Sequence, residues 1–349
     1  MEKKNIVVLF GGCSSEYSIS LESASSVINN IDRSKYTVIP VGISSAGDWY
    51  RFTGTSRQIA EDTWFSEDVC APAVISQNRS RHELLIIHEN HLERISIDAV
   101  FPVLHGRNGE DGTVQGLCEL AGIPLVGCNT LASALCMDKD RAHKLAATAG
   151  VRVPEAFVIE KDYDLESTLE RAEQIAYPLF IKPVKAGSSY GISKIADSGS
   201  LAEAVNKAFE YDDVVIIEEF IPGFEVGCAV MGNHELITGE IDEIHLSGGF
   251  FDFTEKYNLI SSQIHVPARI SKEKSDELKQ TAKTIYRALG CRGFARVDMF
   301  LMPSGEIVFN EVNTIPGFTP HSRFPGMMKA VGISFGEVIT QAIELAVEA

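Results

Sequence analysis

No apolar stretch in the 349-residue sequence approaches the roughly 18 residues that a membrane-spanning helix requires. The early run 6–10 is also shorter than the roughly 7–15 residues of a signal-peptide core, which argues equally against Cys13 as a lipoprotein cysteine. Seven cysteines are present, an odd number with no CxxC pair. A disulfide framework and a zinc site are therefore excluded, and a reducing cytoplasm is the expected setting. Cations are scarce: 31 Lys and Arg stand against 48 Asp and Glu, a net charge of −17. Such a chain repels nucleic acid and anionic lipid, so neither is expected as a partner. Any bound anion must rely on a few local cations or on backbone amides. Repeats and low-complexity tracts are missing too.

What is there is ordinary for a globular protein, 45% hydrophobic and 23% charged. At roughly 150 residues per domain, two or three domains are expected. The first third alternates strand and helix. Apolar runs at 6–10, 36–43 and 99–104 read as buried strands, and Leu21, Ala24, Val27, Ile28 and Ile31 recur at helical spacing. This pattern predicts a doubly wound parallel sheet, with a small hairpin at 84–87 and 94–97. Further on, strands are expected near 156–159, 179–183 and 214–219, bracketing helices near 165–175 and 201–209. A helix at 139–148 should stop at Gly150. The last third predicts strands at 225–231, 236–241, 293–300 and 306–312, and helices at 272–289 and 335–347.

Five segments carry candidate chemistry. Arg296 and Asp298 share one face of a strand, and Glu311 and Asn313 share one face of the next. If a hairpin forms around Pro303-Ser304-Gly305, four polar groups converge. Two carboxylates and an amide oxygen suit a hard cation such as Mg²⁺ that in turn binds nucleotide phosphate. An exposed face with a salt bridge is the plainer alternative, which the apolar residues between them disfavour. Lys182 sits inside the otherwise apolar 179–183 and needs an anionic partner. The loop after it, Lys185-Ala-Gly-Ser-Ser-Tyr-Gly191, lets backbone amides approach phosphate but fits neither the Walker pattern nor GxGxxG. Glu16, after Gly11-Gly12-Cys-Ser-Ser, either holds a substrate ammonium or complements a helix dipole. His105 to Gly112 follows a strand of the same sheet and could be only a turn. The loop 247–258 carries Phe250, Phe251, Phe253 and Glu255-Lys256-Tyr257, and is either a lid over a site or a loop packed on the core.

In order and spacing, GGCSSEYSISLESA, LHGRNGEDGTVQG, MDKDRAHKL, FIKPVKAGSSYGISK, IEEFIPGFE, EKY, GFARVD and FNEVNTIPGFTPHSR resemble the D-alanine–D-alanine ligase family of ATP-grasp enzymes over nearly the whole chain. The resemblance implies an α/β and α+β architecture: an N-terminal doubly wound domain (1–128), a central ATP-grasp domain (129–220) and a C-terminal one (221–349) bearing the lid. It implies ATP and two Mg²⁺, with Mn²⁺ as a substitute, and a homodimer. Residue by residue, Glu16 would orient the first D-alanine, with His105 nearby. Lys139, Lys182, Glu218 and Glu225 would hold ATP, with Phe220 and Ile221 along the adenine. Asp298, Glu311 and Asn313 would hold the metal ions. Ser188, Tyr257 and Glu16 would form a hydrogen-bonded triad, and Lys256 would meet phosphate or carboxylate. Arg296 and the Gly317 N–H would form an oxyanion hole, and Ser322 would take the second substrate's carboxylate.

One position departs from the housekeeping pattern. The residue after Ser322 is usually apolar in the family, and here it is Arg323. If it reaches Asp242, the polar pair would favour D-serine over D-alanine as second substrate, with Phe251 completing the pocket. The EKY lid looks like the amine-using branch rather than the D-lactate-using one. The whole is therefore similar to the D-alanine–D-serine ligases of glycopeptide resistance, of VanG type. A D-alanine–D-alanine ligase with Arg323 as a surface cation is the alternative. A silent nucleotide-binding regulator and a biotin-carboxylase-like enzyme fit less well, given the retained Arg296, Asp298, Glu311, Asn313 and EKY.

Overall fold

The computed structural model describes residues 3–187, 190–246 and 262–348. Three sheets follow one another along the chain. The first contains β1 (Lys4–Gly11), β2 (Tyr36–Ile43), β3 (Trp49–Phe52), β4 (Cys70–Ile75), β5 (Glu83–Ile87), β6 (Leu92–Ser96) and β7 (Ala99–Pro102), in the order β6-β5-β4-β3-β2-β1-β7. β1 runs parallel to β2 and β7, while β3 to β6 continue the sheet antiparallel. The doubly wound part is thus confined to three strands, and a meander extends it. Its unbroken apolar run has a simple cause. Ile6, Val8 and Phe10 pack with helix Tyr17–Asn30, while Val7 and Leu9 pack with helix Thr113–Ala121 on the opposite face.

The middle sheet holds β8 (Ala156–Glu160), β9 (Leu179–Pro183), β10 (Ser193–Ile195) and β11 (Val214–Glu219), ordered β10-β9-β11-β8 and antiparallel throughout. Helices Leu165–Ile175 and Leu201–Ala208 supply Ala172, Leu201, Ala204 and Val205 to its core.

The last sheet has β12 (Phe224–Met231), β13 (Ile237–Thr238), β14 (Asp242–Leu246), β15 (Ser262–His265), β16 (Phe294–Leu301) and β17 (Ile307–Asn313), ordered β15-β14-β12-β16-β17 with β13 beside β12. Helix Lys272–Ala288 covers one face through Leu278, Ala282, Ile285 and Tyr286. The strand expected at 236–241 is displaced: only Ile237–Thr238 pair there, and the main strand starts at Asp242. The cause is Gly239, where an added Cβ would come within 2.8 Å of the Met327 backbone. The chain bends there to let helix Arg323–Ala330 approach.

That helix is followed by Phe335–Val347 at 101°. Met327, Met328, Val338, Ile339 and Ile343 join the core beneath β1, so the end of the chain packs on its beginning. Among the described residues no single helix is long and apolar enough to cross a membrane.

Candidate active site

Lys182 on β9 and Glu218 on β11 form a buried ion pair, as a lysine inside an apolar strand requires. Among the described residues Glu218 uses only one oxygen, for Oε2 is buried and finds no partner there. A buried acceptor of this kind fits an amino group on a ligand, such as that of adenine. Beside it Phe220 lies under Lys194 Nζ, 3.6 Å from the ring centroid, and Ile221 is buried. Lys139 opens helix Lys139–Thr148, whose N-cap is Asp138 accepting from Arg141 N–H. Its Nζ donates to Ala186 O at 2.8 Å and stands 3.5 Å from Glu311. Lys139 thus reaches from the loop after β9 to Glu311 on the last sheet, while Lys182 sits on β9 itself.

On the last sheet, β16 and β17 pair so that Asp298 lies opposite Glu311 and Arg296 opposite Asn313. The convergence expected from the sequence is realised. Arg296 grips Asp298 through Nε (2.8 Å to Oδ1) and Nη2 (2.7 Å to Oδ2), and Asn313 Nδ2 donates to Oδ2 at 2.9 Å. With that amide nitrogen engaged, Asn313 has its Oδ1 left to offer. Among the described residues no three His, Cys, Asp or Glu gather as metal ligands. Two carboxylates and an amide oxygen nonetheless fit Mg²⁺, which takes few protein ligands and completes its shell with water and phosphate.

Arg323 is buried in this cluster rather than lying on the surface. It binds Asp242 bidentately, Nε to Oδ2 at 2.7 Å and Nη2 to Oδ1 at 2.8 Å, and Nη1 reaches Glu225 at 2.8 Å. Burial by itself would lower its pKa, but Asp242 and Asp298 outweigh that and hold the guanidinium well above its ordinary value. Gly227 makes room: a Cβ there would come within 2.5 Å of Arg323 Nη2 and 2.6 Å of Asp242 Oδ1. Ser322 precedes Arg323, and its Oγ accepts from Thr319 N–H at 3.1 Å. The same Oγ lies 3.1 Å from where a Gly317 Cβ would sit.

The first sheet contributes from the carboxyl ends of β1 and β7. Glu16 is the N-cap of helix Tyr17–Asn30 but makes no side-chain cap bond. Its carboxylate instead lies between two loops, since a Cβ on Gly106 or Gly187 would come within 2.5 or 2.7 Å of Oε2. His105 is buried, with Nδ1 2.8 Å from Ile315 O. Ser188, Phe251, Lys256 and Tyr257 lie outside the described residues.

The profile "D-ala D-ala ligase N-terminus" matches residues 5–128, and "D-ala D-ala ligase C-terminus" matches 145–344. The chain belongs to the D-alanine–D-alanine ligase family. It is an ATP-dependent ligase of a family that serves peptidoglycan synthesis and vancomycin resistance and acts on small amino acids. It is 44% identical to the vancomycin C-type resistance protein VanC1 of Enterococcus gallinarum, over 99% of both chains. It is 43% identical to a D-alanine–D-alanine ligase of Caldicellulosiruptor bescii, over 100% of this chain and 96% of that one. Among solved structures, the VanG D-Ala:D-Ser ligase of Enterococcus faecalis superposes with a TM-score of 0.92 at 55% identity, covering 99% of this chain and 100% of its own.

Two residues of this ligase escaped the sequence reading. Glu110, within a stretch that read as a turn, accepts from Gly106 N–H at 2.9 Å and Ile315 N–H at 3.0 Å. His143, one turn after Lys139, holds Asn310 O at 2.8 Å through Nε2, while Nδ1 is buried with no partner among the described residues. Burial lowers the His143 pKa, although Glu218 pulls the other way. The i, i+4 spacing from Lys139 was the available signal.

Proposed function

We propose that this ligase joins D-alanine to D-serine through a D-alanyl phosphate, for the modified peptidoglycan precursors of glycopeptide resistance. The observation that carries the reading is the buried Arg323–Asp242 pair next to Ser322. A pocket edged by fixed charged donors and acceptors suits a substrate hydroxyl and disfavours a methyl group in its place. The 55% identity to a structure described as a D-Ala:D-Ser ligase supports it.

In this mechanism Glu16 orients the ammonium of the first D-alanine, with His105 beside it. Lys139 and Lys182 carry positive charge to the phosphates, while Glu218 and Glu225 hold the nucleoside and Phe220 and Ile221 line the adenine. Asp298, Glu311 and Asn313 hold two Mg²⁺, which supply charge neutralisation at the transferred phosphoryl group. The first substrate's carboxylate attacks the γ-phosphorus of ATP and ADP leaves; the second substrate's neutral amine then attacks the acyl carbon, displaces phosphate and gives up a proton to it or to water as the amide forms. Arg296 and the Gly317 N–H stabilise the oxyanion, and Ser322 holds the second carboxylate. Ser188, Lys256, Tyr257 and Phe251 keep the roles that the family resemblance implies. Division at 128 and 220, a homodimer and a cytoplasmic setting belong to the same proposal.

D-alanine–D-alanine ligation is the second reading, favoured by the 43% identity to a relative so named. A competition decides: ATP, Mg²⁺ and D-alanine with equal D-serine and D-lactate, products identified by mass. Mainly D-alanyl-D-serine is expected, with Arg323→Leu shifting products toward D-alanyl-D-alanine. Mainly D-alanyl-D-alanine from the parent protein would sink the D-serine assignment.

A further inference from the structure

Arg323 touches more than the second-substrate side. Its Nη2 stands 3.4 Å from Asp298 Oδ1, while its other donors engage Asp242 and Glu225. Both partners of the Arg323–Asp298 contact are withdrawn from water, at 9% and 1% exposure, so solvent screens the contact little. Asp298 is already gripped by Arg296 and Asn313. A divalent cation bound by Asp298 must therefore share that carboxylate with two guanidinium groups. Arg296 has a reason to be there in the oxyanion hole proposed above; Arg323 is tied instead to Asp242 and Glu225.

We propose that Arg323 is a positioning residue that sets the divalent-metal affinity of the site through Asp298. By adding a buried positive charge beside the metal carboxylate, it weakens the cation's hold and couples that hold to the Asp242 pocket. Linkage makes the coupling reciprocal: whatever draws Arg323 toward Asp242 strengthens the metal site, and metal binding favours the same shift. The proposal rests on the ligase reading of Asp298, Glu311 and Asn313, but not on D-serine as substrate.

The test is direct binding of Mn²⁺ to the full-length protein, with free ion measured by electron paramagnetic resonance, without nucleotide and with ADP. Arg323→Leu alone leaves Asp242 buried and unpaired, so the double variant Arg323→Leu/Asp242→Asn is measured beside it. Asparagine keeps an oxygen for the Gly227 N–H, which Asp242 Oδ1 accepts at 2.8 Å. The double variant removes one charge of each sign, but the lost cation is the nearer: Arg323 Nη2 stands between Asp242 Oδ1, at 2.8 Å, and Asp298 Oδ1, at 3.4 Å, so Mn²⁺ should bind about threefold tighter. Its thermal midpoint should also rise more on adding Mn²⁺ than the parent's does. Arg323→Lys, which retains the charge, should bind Mn²⁺ like the parent. Unchanged or weaker binding by a folded double variant overturns the proposal alone. Parent binding that Asp298→Asn leaves intact overturns the metal assignment and the proposal with it.

Discussion

The Glu110 carboxylate accepts the Ile315 N–H at 3.0 Å, joining residues 205 positions apart. Its other oxygen holds Gly106 N–H. One side chain thus sets the distance between the loop after β7 and the loop that carries Gly317. Glu110→Ala should lower kcat by about tenfold or more, the scale of a lost charge-assisted bond at a reacting centre. Nucleotide affinity should stay near the parent value, because no nucleotide-facing side chain is touched. Steady-state kinetics beside ADP calorimetry checks both.

Lys182 and Glu218 are each buried and each other's counter-charge. Lys182→Met should destabilise by about 3–5 kcal/mol, because Glu218 is left charged and unpaired. Lys182→Met/Glu218→Gln should recover much of that in urea denaturation. It should not recover nucleotide binding, which in the proposed mechanism uses the lysine's charge.

Gly187→Ala tests where Glu16 must sit. The new methyl would fall 2.7 Å from Oε2, so the carboxylate must move. The KM for the first D-alanine should rise about tenfold, the cost of displacing one charged contact. Thermal midpoint and ADP affinity should change little. An unchanged KM would separate Glu16 from substrate binding.

The buried His143 gives the stability a pH signature. Burial lowers its folded pKa, so the unfolded chain binds the proton first as pH falls. Its contribution is complete above the unfolded value of about 6.5 and is lost as pH drops from there toward the folded pKa. One proton limits the slope to about 1.4 kcal/mol per pH unit. His143→Gln, which keeps a donor for Asn310 O, should flatten the stability profile between neutral and mildly acidic pH in denaturant titrations.

Much of this geometry was legible in the sequence, and the exceptions have physical causes. A lysine amid Leu179, Phe180 and Ile181 announced a buried partner, and the alternation through Arg296 and Asp298 placed both on one face. Helix Arg323–Ala330 has no local signal, because Pro325 and Gly326 are residues of loops and turns. Proline is tolerated there because the first turn of a helix has no acceptors for its N–H groups. The Asp242 strand was placed too early because glycine at 239 looks like any turn until Met327 is seen beside it. Strands β3 and β4 are short and only half-buried, so their pattern is faint, whereas the hairpin expected at 84–87 and 94–97 is present as β5 and β6. Nothing local marked Glu110, whose second partner lies two sheets away.

The clasp between the chain's two ends also bears on module exchange. His105 and Glu110 hold Ile315, and Ser23 Oγ accepts from Phe318 N–H at 3.3 Å. A chimera that imports a relative's first 128 residues therefore brings in the mould for a loop that it does not encode. Residues 314–318 would have to travel with the donor segment for the turn around Gly317 to keep its shape. In breakpoint terms, the natural unit of recombination is discontinuous: the front of the chain together with five residues near its end.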